Sequence, residues 1–416
     1  MRSCNMLVFA VITVVLVCLP TSPMTAAPEL THTRLFENHD QSFYRIPALA
    51  VSTKGTLLAV CNDRVGTPED GCPYIRLHLR RSTDNGKTWG PLQTMRDQKG
   101  WRAQAGAGIV DPTTGEIMFF YTWDPGTEEA RLAHKKANPE FDASKVHHTE
   151  WIARSTDDGM TWKHEPRKID LKNIKWCSTS GSDTGIVVRS GKNQGRLLMA
   201  ARASLDQRVS YELCRKNRLI VPRVKGNGPV GHNCTVYSDD HGKTWTAGGA
   251  VQPQTGEGCV AELSDGTIYF NSRASGGWRL EATSKDTGEN FSYFATSPLV
   301  DQNFGTAASI LSVPKEAHGR SFVLFTNPTH NEFGWSVFRD RKKFTASVSF
   351  DDAKTWPLKK LIFKGPSGYS ASVMSKDGDF FVLYEKGKAF YRDTGVSIVK
   401  FNVEWLTDGK ALTAKP

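Results

Sequence analysis

Short runs in which apolar and polar residues alternate, or in which β-branched and aromatic residues crowd together, recur along this chain and stop at one kind of turn. YIRLHLRR (Tyr74–Arg81) leads into STDNGKTW, TEWIAR (Thr149–Arg154) into STDDGMTW, HNCTVY (His232–Tyr237) into SDDHGKTW, and FTASVS (Phe344–Ser349) into FDDAKTW. A weaker copy, SKDTGENF, ends at Phe291. A period of two predicts strands with one buried face, and the shared turn predicts the hairpin that returns each strand. Within it the Asp accepts backbone N–H bonds, the Gly supplies φ > 0, the Ser or Thr hydroxyl ties the loop back, and the Trp buries its ring beside the next strand. Ala353 in place of Gly and Phe291 in place of Trp predict two looser turns. The copies begin at Ser82, Ser155, Ser238, Ser284 and Ser349, too irregularly for a solenoid but within what a β-propeller tolerates. The expectation is an all-β chain with one propeller domain and few helices. A calcium loop needs about six oxygen ligands, more than these turns supply.

The chain ends and the composition narrow the class. Met1-Arg2, an apolar run from Met6 to Leu19 and the small residues Thr25-Ala26-Ala27 resemble a secretory signal over residues 1–27. Residues 28–416 are then one catalytic domain, expected outside the cell or in the secretory-pathway lumen, such as a lysosome, without stable membrane insertion. Past the signal stand Cys61, Cys72, Cys177, Cys214, Cys234 and Cys259, an even set whose spacing fits no metal site and that allows disulfides whose pairing the sequence leaves open. No cofactor is implied. Asn233-Cys234-Thr235 and Asn290-Phe291-Ser292 are glycosylation sequons. The net charge of +10 comes without a dense Lys/Arg run or an RNA-binding aromatic pattern, which argues against nucleic acid and leaves an acidic glycan open.

Chemistry enters at SFYRIPAL, where Arg45 interrupts an apolar segment; a buried lone arginine must snorkel or meet an anion. The turns follow the pattern called the Asp box, and YRIPAL resembles the F/Y-R-I-P motif of sialidases, the exo-α-neuraminidases, from about Phe43 to Glu385. The resemblance implies a six-bladed propeller and a triad of arginines. Arg45 lies at the first arginine's place, and GEGCVAELSDGTIYFNSRA places Arg273 as the second, with Glu257 as general base. RDRKKFTASVSFDDAKTWP places Arg341 as the third, with Arg339 as its rival. KGPSGYSASV is similar to the segment holding the nucleophilic tyrosine, here Tyr369, and VLYEKG supplies Glu385 to brace the first arginine. The loop in NDRVGTPEDGCPYIRLHLRRSTD implies Asp70 as acid/base, against Glu69 and Asp63, with Arg64 pinning that loop. Glu262 is the rival to Glu257.

The chemistry agrees with this assignment. A sialic acid carries a carboxylate on the carbon under attack, and three guanidinium forks hold it by paired, charge-assisted hydrogen bonds. An Asp or Glu nucleophile would meet that carboxylate with a repulsion of about 4 kcal/mol for unit charges about 4 Å apart at an effective dielectric near 20. A neutral tyrosine avoids the repulsion but needs a base beside it. Asp70 would protonate the leaving oxygen and then deprotonate water, giving retention through a tyrosyl-enzyme intermediate.

The expected function is therefore hydrolysis of terminal sialic acids from glycoproteins, glycolipids and oligosaccharides. A trans-sialidase is the alternative and would need an aromatic acceptor platform, for which Trp123, Trp278 and Trp335 are candidates. A sialic-acid lectin is a third reading, set against the presence of Asp70, Glu257 and Tyr369. The chain departs from the family at Ser347, where an arginine is common, and in a long NPTHNEFGWSVFRDR segment. A Cys61–Cys72 disulfide would restrict the Asp70 loop.

Overall fold

Every run that precedes a turn is a strand, and every turn copy closes a hairpin. The structure is a computed structural model describing residues 26–139, 150–181, 183–220, 228–302, 304–330, 341–410 and 412; most of the expected signal segment lies outside the described residues. The described chain is all-β, with four short helices, Glu128–Ala137, Gln207–Asn217, Lys315–His318 and Val403–Thr407, set between strands or at the end. None of them is long and apolar enough to cross a membrane.

Four sheets follow one another along the chain. The first runs from Ser42–Val51 to Lys163–Pro166, the second gathers strands between Ile169 and Pro253, and the third holds the four strands from Gly258–Glu262 to Tyr293–Val300. In the fourth, Leu30–Glu37 pairs antiparallel with Gly395–Phe401, so the two ends of the described chain share one sheet, as the closing of a ring requires.

The turns repeat one set of bonds. Asp157 accepts from the Thr161 N–H (2.9 Å), the Thr161 hydroxyl (2.6 Å) and the Ser155 hydroxyl (2.7 Å), and Asp240 does the same with Thr244 and Ser238. The carboxylates are consumed by the turn itself. Trp162, Trp245 and Trp356 each set their ring edge-on to a phenylalanine, Phe119, Phe120 and Phe325. The two variant copies are not looser. Ala353 takes φ +64°, and its N–H reaches the Ser349 hydroxyl at 2.9 Å, the same bond Gly288 makes to Ser284. Phe291 packs edge-on against Phe270, so a smaller ring fills the place of the indole.

The segment containing Gly181, Asp183, Thr184 and Gly185 links two strands of the second sheet and bonds to inner strands of the other three. Gly181 and Gly185 donate to the carbonyls of Ala105 and Gly108, Thr184 to that of Leu49, and Asp183 to that of Gly258. The Asp183 carboxylate accepts from the Ser309 hydroxyl and the Ile310 N–H, both at 2.7 Å.

Two expectations fail. All six described cysteines are free and buried, so the Cys61–Cys72 disulfide does not form. Cys61 lies inside a strand while the Cys72 thiol turns to the Tyr74 carbonyl at 3.1 Å. Asn233 is fully buried, its amide donating to the Ala201 carbonyl at 3.1 Å, so its sequon cannot accept a glycan in the folded chain, whereas Asn290 is exposed.

Candidate active site

Strand ends carry the polar side chains that gather at one mouth. Between Arg45 and Pro47 the pairing register slips, and Ile46 takes φ +56°, a costly conformation for a β-branched residue. The slip aims the Arg45 guanidinium and the Ile46 N–H at the same carboxylate. Arg45, 2 % exposed, donates from Nε and Nη2 to Glu385 at 2.9 and 3.3 Å, and the Ile46 N–H reaches Glu385 Oε1 at 3.2 Å. The other oxygen of Glu385 accepts from the Tyr369 N–H at 3.1 Å. One buried carboxylate thus fixes both the arginine and the backbone of the tyrosine. A Cβ at position 368 would lie 2.0 Å from that oxygen, which is why glycine precedes the tyrosine.

Tyr369 donates its hydroxyl to Glu257 Oε1 at 2.8 Å, and Arg273 Nη1 reaches Glu257 Oε2 and the Tyr369 oxygen, each at 2.7 Å. Burial, reinforced by Glu257 and opposed by Arg273, Arg341 and Arg45, pushes the phenol up to about 12. Burial would raise Glu257 too, but Arg273, Arg202 and the Tyr369 hydroxyl hold it down to about 2. The pair is an ionised carboxylate hydrogen-bonded to a neutral phenol, the arrangement of a base beside a nucleophile. Arg341 is buried beneath the same ring; it donates to the Gly305 carbonyl at 3.1 Å and makes no ion pair among the described residues. Arg339 lies outside the described residues.

Asp70 stands across the mouth with its side chain 88 % exposed, 3.2 Å from Arg45 Nη1 and 2.9 Å from Arg64 Nη1. The protein walls around the mouth strip some water from its carboxyl and would raise it, yet Arg64 and Arg45 hold it below the ordinary range. Arg64 also donates to the Pro68 carbonyl at 2.7 Å, which folds the loop under Asp70. Two rivals point elsewhere, Asp63 being buried against Arg76 and Glu262 against Arg189; Glu69 lines the same mouth beside Asp70, where it pairs with Arg392.

These residues line a cavity of about 1240 Å³ that also holds Arg102, Gln104, Arg202, Tyr391 and Arg392, none of which carried a motif in the sequence. Tyr391 lies under Arg45 and Arg341, with guanidinium-to-ring distances of 5.2 and 4.7 Å. Alternation did hold a clue to Arg102 and Gln104, which occupy one face of a strand. Of the aromatic platform candidates, Trp123 is buried against Trp101, Trp278 is half exposed, and Trp335 lies outside the described residues.

A BNR repeat-like domain matches residues 55–382. The sialidase of Micromonospora viridifaciens is 31% identical over 403 residues, covering 92% of this chain and 55% of that protein. That of Bacteroides fragilis is 28% identical over 365 residues, 83% of this chain and 60% of its own. The chain thus spans little more than half the length of these relatives. Among solved structures, the Hadza microbial sialidase Hz136 superposes with a TM-score of 0.68 at 25% identity, over 88% of this chain and 66% of that one. The leech intramolecular trans-sialidase does so with 0.67 at 17% identity, over 93% and 72%, which is likeness of fold alone. With its repeat matched over residues 55–382 and sialidases among its relatives, the chain belongs to the BNR repeat-like domain family.

Proposed function

We propose that the protein is an exo-α-sialidase, a glycoside hydrolase that removes terminal sialic acid from glycoconjugates with retention. The carrying observation is the Tyr369 hydroxyl bonded at 2.8 Å to an ionised Glu257, with Arg45, Arg273 and Arg341 around the same ring. The sugar carboxylate spans the three arginines, which sets its anomeric carbon over the Tyr369 oxygen. As that oxygen bonds to carbon, Glu257 takes the phenolic proton and Asp70 gives a proton to the departing glycosidic oxygen. Water, deprotonated by Asp70, then displaces the tyrosine, and Glu257 returns its proton. Glu385 holds Arg45 and the Tyr369 backbone still throughout.

The fold reading belongs to the same proposal. The strands can be grouped into six antiparallel units of four, with Ile174–Ser178 and Ile186–Val187 sharing one place in the third, Ile169–Asp170 lying outside it as a parallel edge, the long Leu358–Met374 strand serving the last two units and Leu30–Glu37 completing the sixth, which fits a six-bladed propeller. Secretion, or delivery to the secretory-pathway lumen, rests on the signal-like residues 1–27.

A sialyl fluoride with a second fluorine at C3 tests the chemistry, since the leaving group permits the first step while the C3 fluorine slows the second. The expected outcome is an adduct on Tyr369, found by peptide mapping, that forms far more slowly in Glu257→Gln. An adduct on another residue, or full activity in Tyr369→Phe, overturns the mechanism.

A further inference from the structure

Seven arginines line the main cavity, and five of them face a carboxylate: Arg45 meets Glu385, Arg64 meets Asp70, Arg102 meets Asp124, Arg273 meets Glu257 and Arg392 meets Glu69. Arg341 and Arg202 make no ion pair among the described residues. A sialic acid brings one carboxylate, which Arg341 shares with Arg45 and Arg273. Arg202 is a cation that this carboxylate does not answer.

Its surroundings say what it faces. Arg202 lies on the Leu197–Leu205 strand with its guanidinium 5.9 Å from the centre of the Trp176 ring. It also lines a second cavity of about 320 Å³ that adjoins the first, the two sharing Arg202, Glu257 and Arg273 as wall, and that is otherwise bounded by Gln254, Thr255, Ser275 and Phe304 among others. Among the described residues the only carboxylate in this annex is Glu257, already bound by Arg273 and by Tyr369. None of Arg64, Pro68, Glu69 or Asp70 reaches it. The leaving group departs past Asp70, so the annex serves the part of the sugar that stays, and of that part the exocyclic three-carbon arm carries the hydroxyls on which an ester can form.

We propose that Arg202 is a specificity-determining residue of the sialidase site, making this annex a second anion subsite that favours sialic acids whose exocyclic arm carries an acidic ester, a sulfate or a phosphate. The inference rests on the hydrolase reading above. The guanidinium fork meets the ester oxygens, and Gln254, Thr255 and Ser275 supply uncharged polar groups around them.

Four nitrophenyl sialosides test it: one with an unmodified arm, one with the arm shortened by periodate cleavage and borohydride reduction, one with a sulfate at C9 and one with a phosphate there. The wild-type protein is expected to turn over at least one acidic ester with a kcat/KM about tenfold above the unmodified sugar, as a charge-assisted contact supplies. That preference falls with added salt. In Arg202→Gln the ratio of acidic to unmodified substrate drops towards one, and Arg202→Lys retains part of it; melting curves check that both variants fold. Whichever ester is preferred identifies the source of the anion. A wild-type protein that prefers neither ester, or a loss in Arg202→Gln equal on all four substrates, overturns the proposal, the latter leaving Arg202 to act only through Glu257. If the variants do not fold, the wild-type preference and its salt dependence decide. Turnover of none of the four by the wild type instead overturns the hydrolase reading itself.

Discussion

A lysine at position 341 keeps the charge but loses the fork, and of the three arginines proposed to hold the sugar carboxylate Arg341 is the one that meets no carboxylate among the described residues. Arg341→Lys is expected to lower kcat/KM on sialosides by about 10- to 100-fold, the worth of one or two charge-assisted bonds; near-normal turnover would remove Arg341 from the triad. Asp70 makes a prediction in pH. Arg64 and Arg45 hold its carboxyl below the ordinary range, so in the free protein it is ionised at neutral pH, the wrong form for an acid. For natural glycosides kcat/KM should therefore rise as pH falls through the mildly acidic range, whereas nitrophenyl sialosides, whose leaving group needs no proton, should lack that dependence. Removing a neighbouring cation raises a carboxyl pKa, so Arg64→Met should move the alkaline limb for natural glycosides to higher pH by about one unit. An unmoved limb, or one shared by both substrate types, takes the acid role away from Asp70. Arg45, Arg273, Tyr369 and Glu385 were legible in the sequence because a motif surrounds each. Arg202 and Tyr391 were not, because they meet the others only through the packing of separate sheets.

At the scale of elements, the hairpin turns were the most legible feature, since each is a local circuit whose donors and acceptor lie within four residues of one another. The expectation of looser copies at Ala353 and Phe291 failed for a packing reason: the hydroxyl and carboxylate bonds fix the backbone, and the left-handed residue and the closing ring adapt to it. The number of sheets and the order in which they close were not legible, because they depend on pairs such as Leu30 with Phe401 that lie far apart in the chain. Asp240 tests the circuit. Partial burial would raise its carboxyl, but the Thr244 and Ser238 bonds hold it down to about 2. A depressed carboxylate adds stability above its unfolded value of about 4 and loses it as pH falls through about 2. Asp240→Ala is thus expected to cost about 1–2 kcal/mol at neutral pH, as loss of a capping carboxylate does, with turnover unchanged and with a smaller penalty towards pH 2. Denaturant titration at both pH values measures it, and a penalty that does not vary with pH would leave the carboxylate's charge without a part in the turn.

Across the whole molecule, stability and site meet at Asp183. Its carboxylate and the backbone beside it, on the link between two strands of the second sheet, bind strands of the other three sheets, while Gly181 in the same segment lies so close to Glu257 and Tyr369 that a Cβ there would stand 3.0 Å from the Glu257 side chain. Burial raises the Asp183 carboxyl to about 7, against the hydrogen bonds from Ile310, Ser309, Thr184 and Ser372. It makes no ion pair among the described residues, in contrast to the carboxylates of the mouth. Between about pH 4, where an unfolded Asp ionises, and about pH 7 the folded state binds more protons than the unfolded one, so this residue lowers stability as pH rises through that window and has no further effect above it. Asparagine keeps one acceptor oxygen and cannot ionise; alanine takes the acceptor away from all four donors in the interior. Asp183→Asn is expected to flatten the fall of melting temperature between pH 4 and 7 and to keep most activity, whereas Asp183→Ala loses stability at every pH and, by loosening Gly181 beneath the tyrosine, lowers kcat more than it changes KM. Melting curves and steady-state kinetics at pH 4.5, 6 and 7.5 give the answer. An Asn variant with the wild-type slope would show that Asp183 keeps one protonation state across the window, and an Ala variant with wild-type kcat would separate this knot from the chemistry above it.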